Sequence, residues 1–127
     1  AARVYINFTL LADPAVGVVN YQMLVAQSPD MAGYRTSMQT EEQNAKTEFD
    51  NNSASMSAEE KQKYAMQLKE RLGDKQKELL EPIYQKIDAA IEKIAKKKGL
   101  SIVVDKGFVV YGGVDITGEV GSSLNGK

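Results

Sequence analysis

From Ser57 to Lys98 the sequence carries one long helical pattern with a start signal and a stop signal. Ser57-Ala58-Glu59-Glu60 is a capping box, in which a hydroxyl and a carboxylate satisfy the first free amides of a helix. Gly99 ends the run, and Lys96, Lys97 and Lys98 sit near the negative end of the helix dipole. The apolar positions include Tyr64, Leu68, Leu72, Leu79, Ile83, Ile87, Ile91 and Ile94. Forty-two residues at 1.5 Å each span about 60 Å.

A second helix precedes it. Ser28-Pro29-Asp30 is a restart signal: Ser caps, Pro takes the first helical position, and Asp lies near the positive end of the dipole. Met31, Tyr34, Met38, Ala45 and Phe49 then fall at helical intervals, with Met31, Met38 and Ala45 seven apart as in a coiled-coil seam. Glu41 and Glu42 thin the stripe, and Asn51-Asn52-Ser53-Ala54-Ser55 ends it in a turn. With the turn near residue 54, antiparallel pairing sets Ala45 opposite Ala65, Glu42 opposite Leu68, Met38 opposite Leu72 and Met31 opposite Leu79. Charge agrees. Residues 30–52 hold five acids and two bases, and residues 57–98 hold eight acids and eleven bases. The two helices attract each other mildly, and salt weakens that attraction.

Two positions mark where the long helix bends. Gly73 costs roughly 1 kcal/mol in a helix interior. Pro82 removes a backbone bond and crowds the preceding turn. A static kink that fits the helices onto their body and a working hinge both satisfy this pattern.

The ends of the chain read as strands. Val16-Gly17-Val18-Val19 is nearly continuous in apolar character, as in a strand buried on both faces, and Asn20 caps a short helix over 21–27. After Gly99, Ile102, Val103 and Val104 and then Val109 and Val110 read as a strand pair turning through Lys106-Gly107. Gly112-Gly113 turns the chain again, and residues 114–117 lead into a short helix around 118–124. Val4, Ile6, Phe8 and Leu10 alternate with polar or half-polar neighbours before Asp13-Pro14 breaks the run. Residues 1–15 are either an extra strand that joins a sheet edge or a loose tail.

The fold class is therefore α+β: a small β body, residues 16–27 and 100–127, carrying a long antiparallel coiled-coil hairpin arm, residues 28–99. The strand-forming ends total about 30 residues, too few to bury much core alone. Yet Val16, Val18, Val19, Ile102, Val103, Val104, Val109 and Val110 are strongly apolar. Strands from several chains sharing one core resolve the conflict, so an oligomer is expected.

Composition narrows the chemistry. The 127 residues contain no cysteine, histidine or tryptophan. Disulfides, thiolate or imidazole metal sites, and triads built on His or Cys are excluded. Asp105 and Asp115 lie near strand ends without a base, nucleophile or metal set around them, so no enzyme and no cofactor is expected. A net charge of −1 gives no general pull toward nucleic acid. The lysines at 96–98 lack the aromatic platform of single-strand binders. No apolar run approaches the roughly 20 residues that span a bilayer, so no stable membrane insertion is expected. The chain begins Ala-Ala without an initiator methionine, as a processed or trimmed chain does.

Read in order, Val16-Gly17-Val18-Val19-Asn20, Gln27-Ser28-Pro29, residues 56–63, Leu80-Glu81-Pro82-Ile83-Tyr84-Gln85-Lys86-Ile87, residues 98–105 and Val114-Asp115-Ile116-Thr117 resemble the Skp (OmpH-like) family of periplasmic chaperones. The resemblance covers residues 16–127. It implies a homotrimer with a central β body and three hanging helical hairpins. It also implies a periplasmic, ATP-independent holdase that keeps unfolded outer-membrane proteins from aggregating between its arms. The chain departs from the family in its first 15 residues, its short first arm helix and its slight acidity; residues 41–60 hold six acids and one base.

A holdase must bind many sequences weakly, which suits flexible methionines and scattered aromatics. The candidates are Met31, Tyr34, Met38, Phe49, Met56, Tyr64 and Met66. Met31, Met38 and Tyr64 are better read as packing the seam. Met56 lies at the turn and Met66 falls off the main stripe, so these two are best placed for clients. The rival reading is a structural coiled-coil spacer or envelope adaptor that assembles but holds no clients.

Overall fold

The computed structural model describes residues 15–127. Its elements are β1 (Val16–Val19), α1 (Tyr21–Gln27), α2 (Met31–Asn52), α3 (Ala58–Lys98), β2 (Ile102–Asp105), a 3₁₀ turn (Lys106–Phe108), β3 (Val114–Asp115) and α4 (Thr117–Leu124). The expected strand at Val4–Leu10 lies outside the described residues. Contacts group the chain into two units: residues 15–29 with 85–127, and residues 30–84.

The first unit is built on a three-stranded sheet of order β2-β1-β3, parallel throughout. The apolar pattern of β1 predicts this central place, and Val18 and Val19 are buried. Ser101 donates from both its amide and its hydroxyl to the Ala15 carbonyl, which fixes the start of β2 beside β1. Leu24, Ile87, Ile116 and Val120 are fully buried and form the centre of the core. Three polar ties close the sheet end. The Asn20 amide donates to Thr117 Oγ1 (2.9 Å), that hydroxyl donates to Asp115 Oδ1 (2.7 Å), and Tyr21 Oη donates to Asp88 Oδ1 (2.9 Å).

The expected strand pair after Gly99 is overturned. Residues 102–104 and 108–111 do not form a hairpin through Lys106-Gly107. The chain instead takes a 3₁₀ turn there, and Val109 and Val110 belong to no strand. Parallel strands cannot be joined by a tight turn, because the chain must first return to the starting end. Residues 106–113 make that return across β1. Gly112 and Gly113 complete it at φ +91° and +89°, a region that side chains disfavour. The extended pair is then supplied by Val114 and Asp115. An apolar run reports burial or strand propensity, not which partner it will find.

The second unit is helical. Asp30 rather than Ser28 is the residue at which α2 begins; Ser28 ends α1, its amide donating to the Val25 carbonyl. Ser57 behaves as its pattern predicts, its hydroxyl accepting from the Glu60 amide (3.2 Å). α3 is continuous through Gly73 and Pro82. Its end, within the first unit, has the Schellman arrangement: Leu100 N–H donates to the Ala95 carbonyl and Gly99 N–H to the Lys96 carbonyl, with Gly99 at φ +69°.

Candidate functional site

Within residues 30–84 the expected client-contacting side chains are graded in exposure. Met31, Tyr34, Met38, Phe49, Met56 and Tyr64 are half-buried, and Met66 is 65% exposed. Ala45 and Leu68 are the buried residues of the apolar stripe near them. Contacts between α2 and α3 gather toward the connecting turn. The Phe49 and Tyr64 rings lie 5.8 Å apart at 35°, and Asn52 Nδ2 donates to Tyr64 Oη at 2.9 Å. Arg71 grips Glu48 with two guanidinium nitrogens, at 2.7 and 3.4 Å. These are not the pairs expected from opposed numbering. In each pair the partner lies further along α3 than that numbering places it.

Farther along, the same two helices border a groove of about 500 Å³. Tyr34, Met38, Leu72 and Gly73 are half-buried in it, while Arg35, Gln39, Glu42, Lys69 and Gln76 are exposed around it. Sequence reasoning found the floor, because Tyr34, Met38 and Leu72 lie on apolar stripes. It missed the rim, because charged residues on a helix face carry no periodic signal. Met66 stands in a separate shallow surface with Lys63, Gln67, Lys69 and Glu70.

The residues expected to form a shared body divide sharply. Val18 and Val19 are buried, and Val16, Val103, Val104 and Val109 are half-buried. Ile102 is 52% exposed, and Val110 is fully exposed together with its neighbours Phe108 and Tyr111. The core residues Leu24, Ile116 and Val120 were not foreseen. They lie on or beside helices of eight residues or fewer, too short to show a period.

Electrostatic perturbation is modest. Hydrogen bonds from the Thr117 hydroxyl and amide hold the Asp115 carboxyl below its ordinary value, with Lys106 contributing at 3.8 Å. Lys96, 2.9 Å from Glu92, lowers that carboxyl in the same way. Lys98 pairs with Glu119 at 2.7 Å, so two of the three terminal lysines are engaged within the chain. Among the described residues no group of three or more acidic side chains is arranged to hold a metal ion, and no helix is long and apolar enough to cross a membrane.

Two long helices, and a small parallel sheet with helical cover, define the class of fold. The model of the family "Outer membrane protein (OmpH-like)" matches residues 56–124, more than half of the chain. The protein belongs to the OmpH-like family. A solved chain from Caulobacter crescentus CB15, described as a candidate outer membrane chaperone (OmpH-like), shares the fold. The TM-score is 0.51 at 16% identity, over 90% of this chain and 85% of the other. No curated protein matches.

Proposed function

We propose that this protein is an ATP-independent periplasmic holdase, a homotrimer that binds unfolded outer-membrane proteins between helical arms. The observation that carries this reading is the row of half-buried methionines and aromatics from Met31 to Tyr64 that ends on the exposed Met66, set among charges of both signs. Such a surface grips many sequences weakly. Family membership supports outer-membrane proteins as the class of client. The arm is an antiparallel hairpin of α2 and α3, a reading supported by the Glu48–Arg71, Asn52–Tyr64 and Phe49–Tyr64 contacts. Three arms multiply each weak contact by raising its effective concentration.

The trimer is supported by what one chain leaves uncovered: Ile102, Phe108, Val110, Tyr111 and Val114. An apolar group of this size on a single chain marks an interaction surface. Gly73 and Pro82 are the proposed points of flexure, with Pro82 lacking the amide that would bind the preceding turn.

The test is dilution of a urea-denatured outer-membrane β-barrel protein into buffer with and without this protein, followed by turbidity. The expected result is suppressed aggregation without nucleotide. Unchanged aggregation favours the structural spacer instead. The double variant Met56→Ser/Met66→Ser is expected to weaken suppression severalfold without lowering the melting temperature.

A further inference from the structure

Gly73 stands where neither a close neighbour nor the backbone conformation requires a glycine. Gly17 and Gly113 are demanded by close neighbours, and Gly99 by its left-handed backbone. Gly33 and Gly118 are also open, but they lie in the first turns of their helices. Gly73 is in the middle of α3, where glycine destabilises relative to alanine. A Cβ built there meets no heavy atom within 4 Å, and its φ is unexceptional.

Gly73 lines the groove of about 500 Å³ between α2 and α3. That volume lies in the range of sites that take small ligands or single side chains. Its floor is apolar and aromatic, from Tyr34, Met38 and Leu72. Its rim carries two cations, Arg35 and Lys69, against one carboxylate, Glu42. Among the described residues neither cation forms an ion pair or side-chain hydrogen bond, in contrast to Arg71, Lys75, Lys96 and Lys98. Gln39 and Gln76 likewise leave their amides unengaged.

We propose that the groove beside Gly73 is a discrete docking site for an extended, unfolded polypeptide that inserts an aromatic side chain and sets an adjacent carboxylate on Arg35 and Lys69. The apolar floor and the missing side chain at 73 accept the ring. The unpaired cations select acidic flanks over basic ones. The free amides of Gln39 and Gln76 meet the peptide backbone, which an unfolded chain must otherwise leave to water. The site rests on the holdase reading and gives it a sequence preference.

The test uses the full-length chain and three labelled disordered peptides: one with a central Phe between glutamates, one with the Phe between lysines, and one with Ser replacing Phe between glutamates. Binding is read by fluorescence anisotropy at low salt. The expected preference is at least tenfold for the Glu-flanked Phe peptide over both others. Gly73→Leu fills the groove and is expected to weaken that peptide at least tenfold with no fall in melting temperature. Gly73→Ala stiffens the helix but leaves most of the space, and is expected to retain binding. This separates a docking role from a hinge. Arg35→Glu/Lys69→Glu changes only exposed side chains and is expected to invert the flank preference, a result that a packing role does not produce.

Equal binding of the three peptides overturns the proposal. So does undiminished binding by Gly73→Leu, or an unchanged preference in the charge-reversed variant. The same proteins are assayed in the turbidity experiment. Suppression without peptide preference removes the groove and leaves the holdase standing. Peptide preference without suppression removes the holdase and leaves a peptide site.

Discussion

Gly17 is buried in the central strand, where an added Cβ would lie 2.7 Å from Leu100 Cδ1 and 3.2 Å from Val103 Cγ2. The Leu100 and Val103 side chains fill the space that a Cβ would take. Gly17→Val is therefore expected to destabilise the protein by about 1–3 kcal/mol, the usual cost of overpacking, read as a lower urea midpoint at unchanged slope. Asp115 gives a second residue-level prediction. Thr117 donates to its carboxylate twice, so its folded pKa lies below the ordinary 3.8. A depressed carboxylate contributes stability that is present above the unfolded value and is lost as pH falls through the folded one. Melting temperature is expected to fall more steeply below pH 4 in the wild type than in Thr117→Val. Equal slopes would show that the carboxylate gains nothing from the Thr117 hydroxyl, the amide being kept in the variant.

At the scale of elements, Gly99 closes α3 with a left-handed residue that accommodates the chain's turn into β2. Gly99→Ala is expected to cost about 1 kcal/mol by chemical denaturation. Pro82 tests motion rather than stability. Pro82→Ala restores a missing backbone bond, and spin labels on either side of residue 82 are expected to give a narrower distance distribution. An unchanged distribution, with an unchanged range of clients, would remove the hinge. The helices were legible because their signals are local. Ser57 and Glu60 lie one turn apart, Gly99 follows the last periodic residue, and Asn20 caps α1 through the Met23 amide. The sheet was half legible. Val16 to Val19 announce a doubly covered strand, but nothing local tells Ile102–Val104 that their neighbour is β1 rather than residues 108–111. That pairing depends on a return across about 80 residues, which periodicity does not encode. The groove's rim was illegible for another reason. Arg35 and Lys69 come to one groove only because it is lined by two helices, and each alone is an ordinary solvated charge.

The whole molecule joins a helical unit with half-buried methionines and aromatics to a sheet unit that one chain leaves partly uncovered. Val18, Val19, Leu24, Ile116 and Val120 make a real core. Ile102, Phe108, Val110, Tyr111 and Val114 remain outside it. If these residues form the trimer contact, Phe108→Ser/Tyr111→Ser lowers the mass in solution while circular dichroism keeps its helical signal. It also weakens client retention at a given chain concentration, because multivalent grip is lost with assembly. The central claim is that assembly and client binding go together. It is tested most directly by light scattering of the protein alone, and again after mixing with a urea-denatured outer-membrane β-barrel protein diluted to low urea. The account predicts three times the 13.9 kDa chain mass, then a soluble complex of defined larger mass. A single-chain mass with the client lost to aggregation would contradict it.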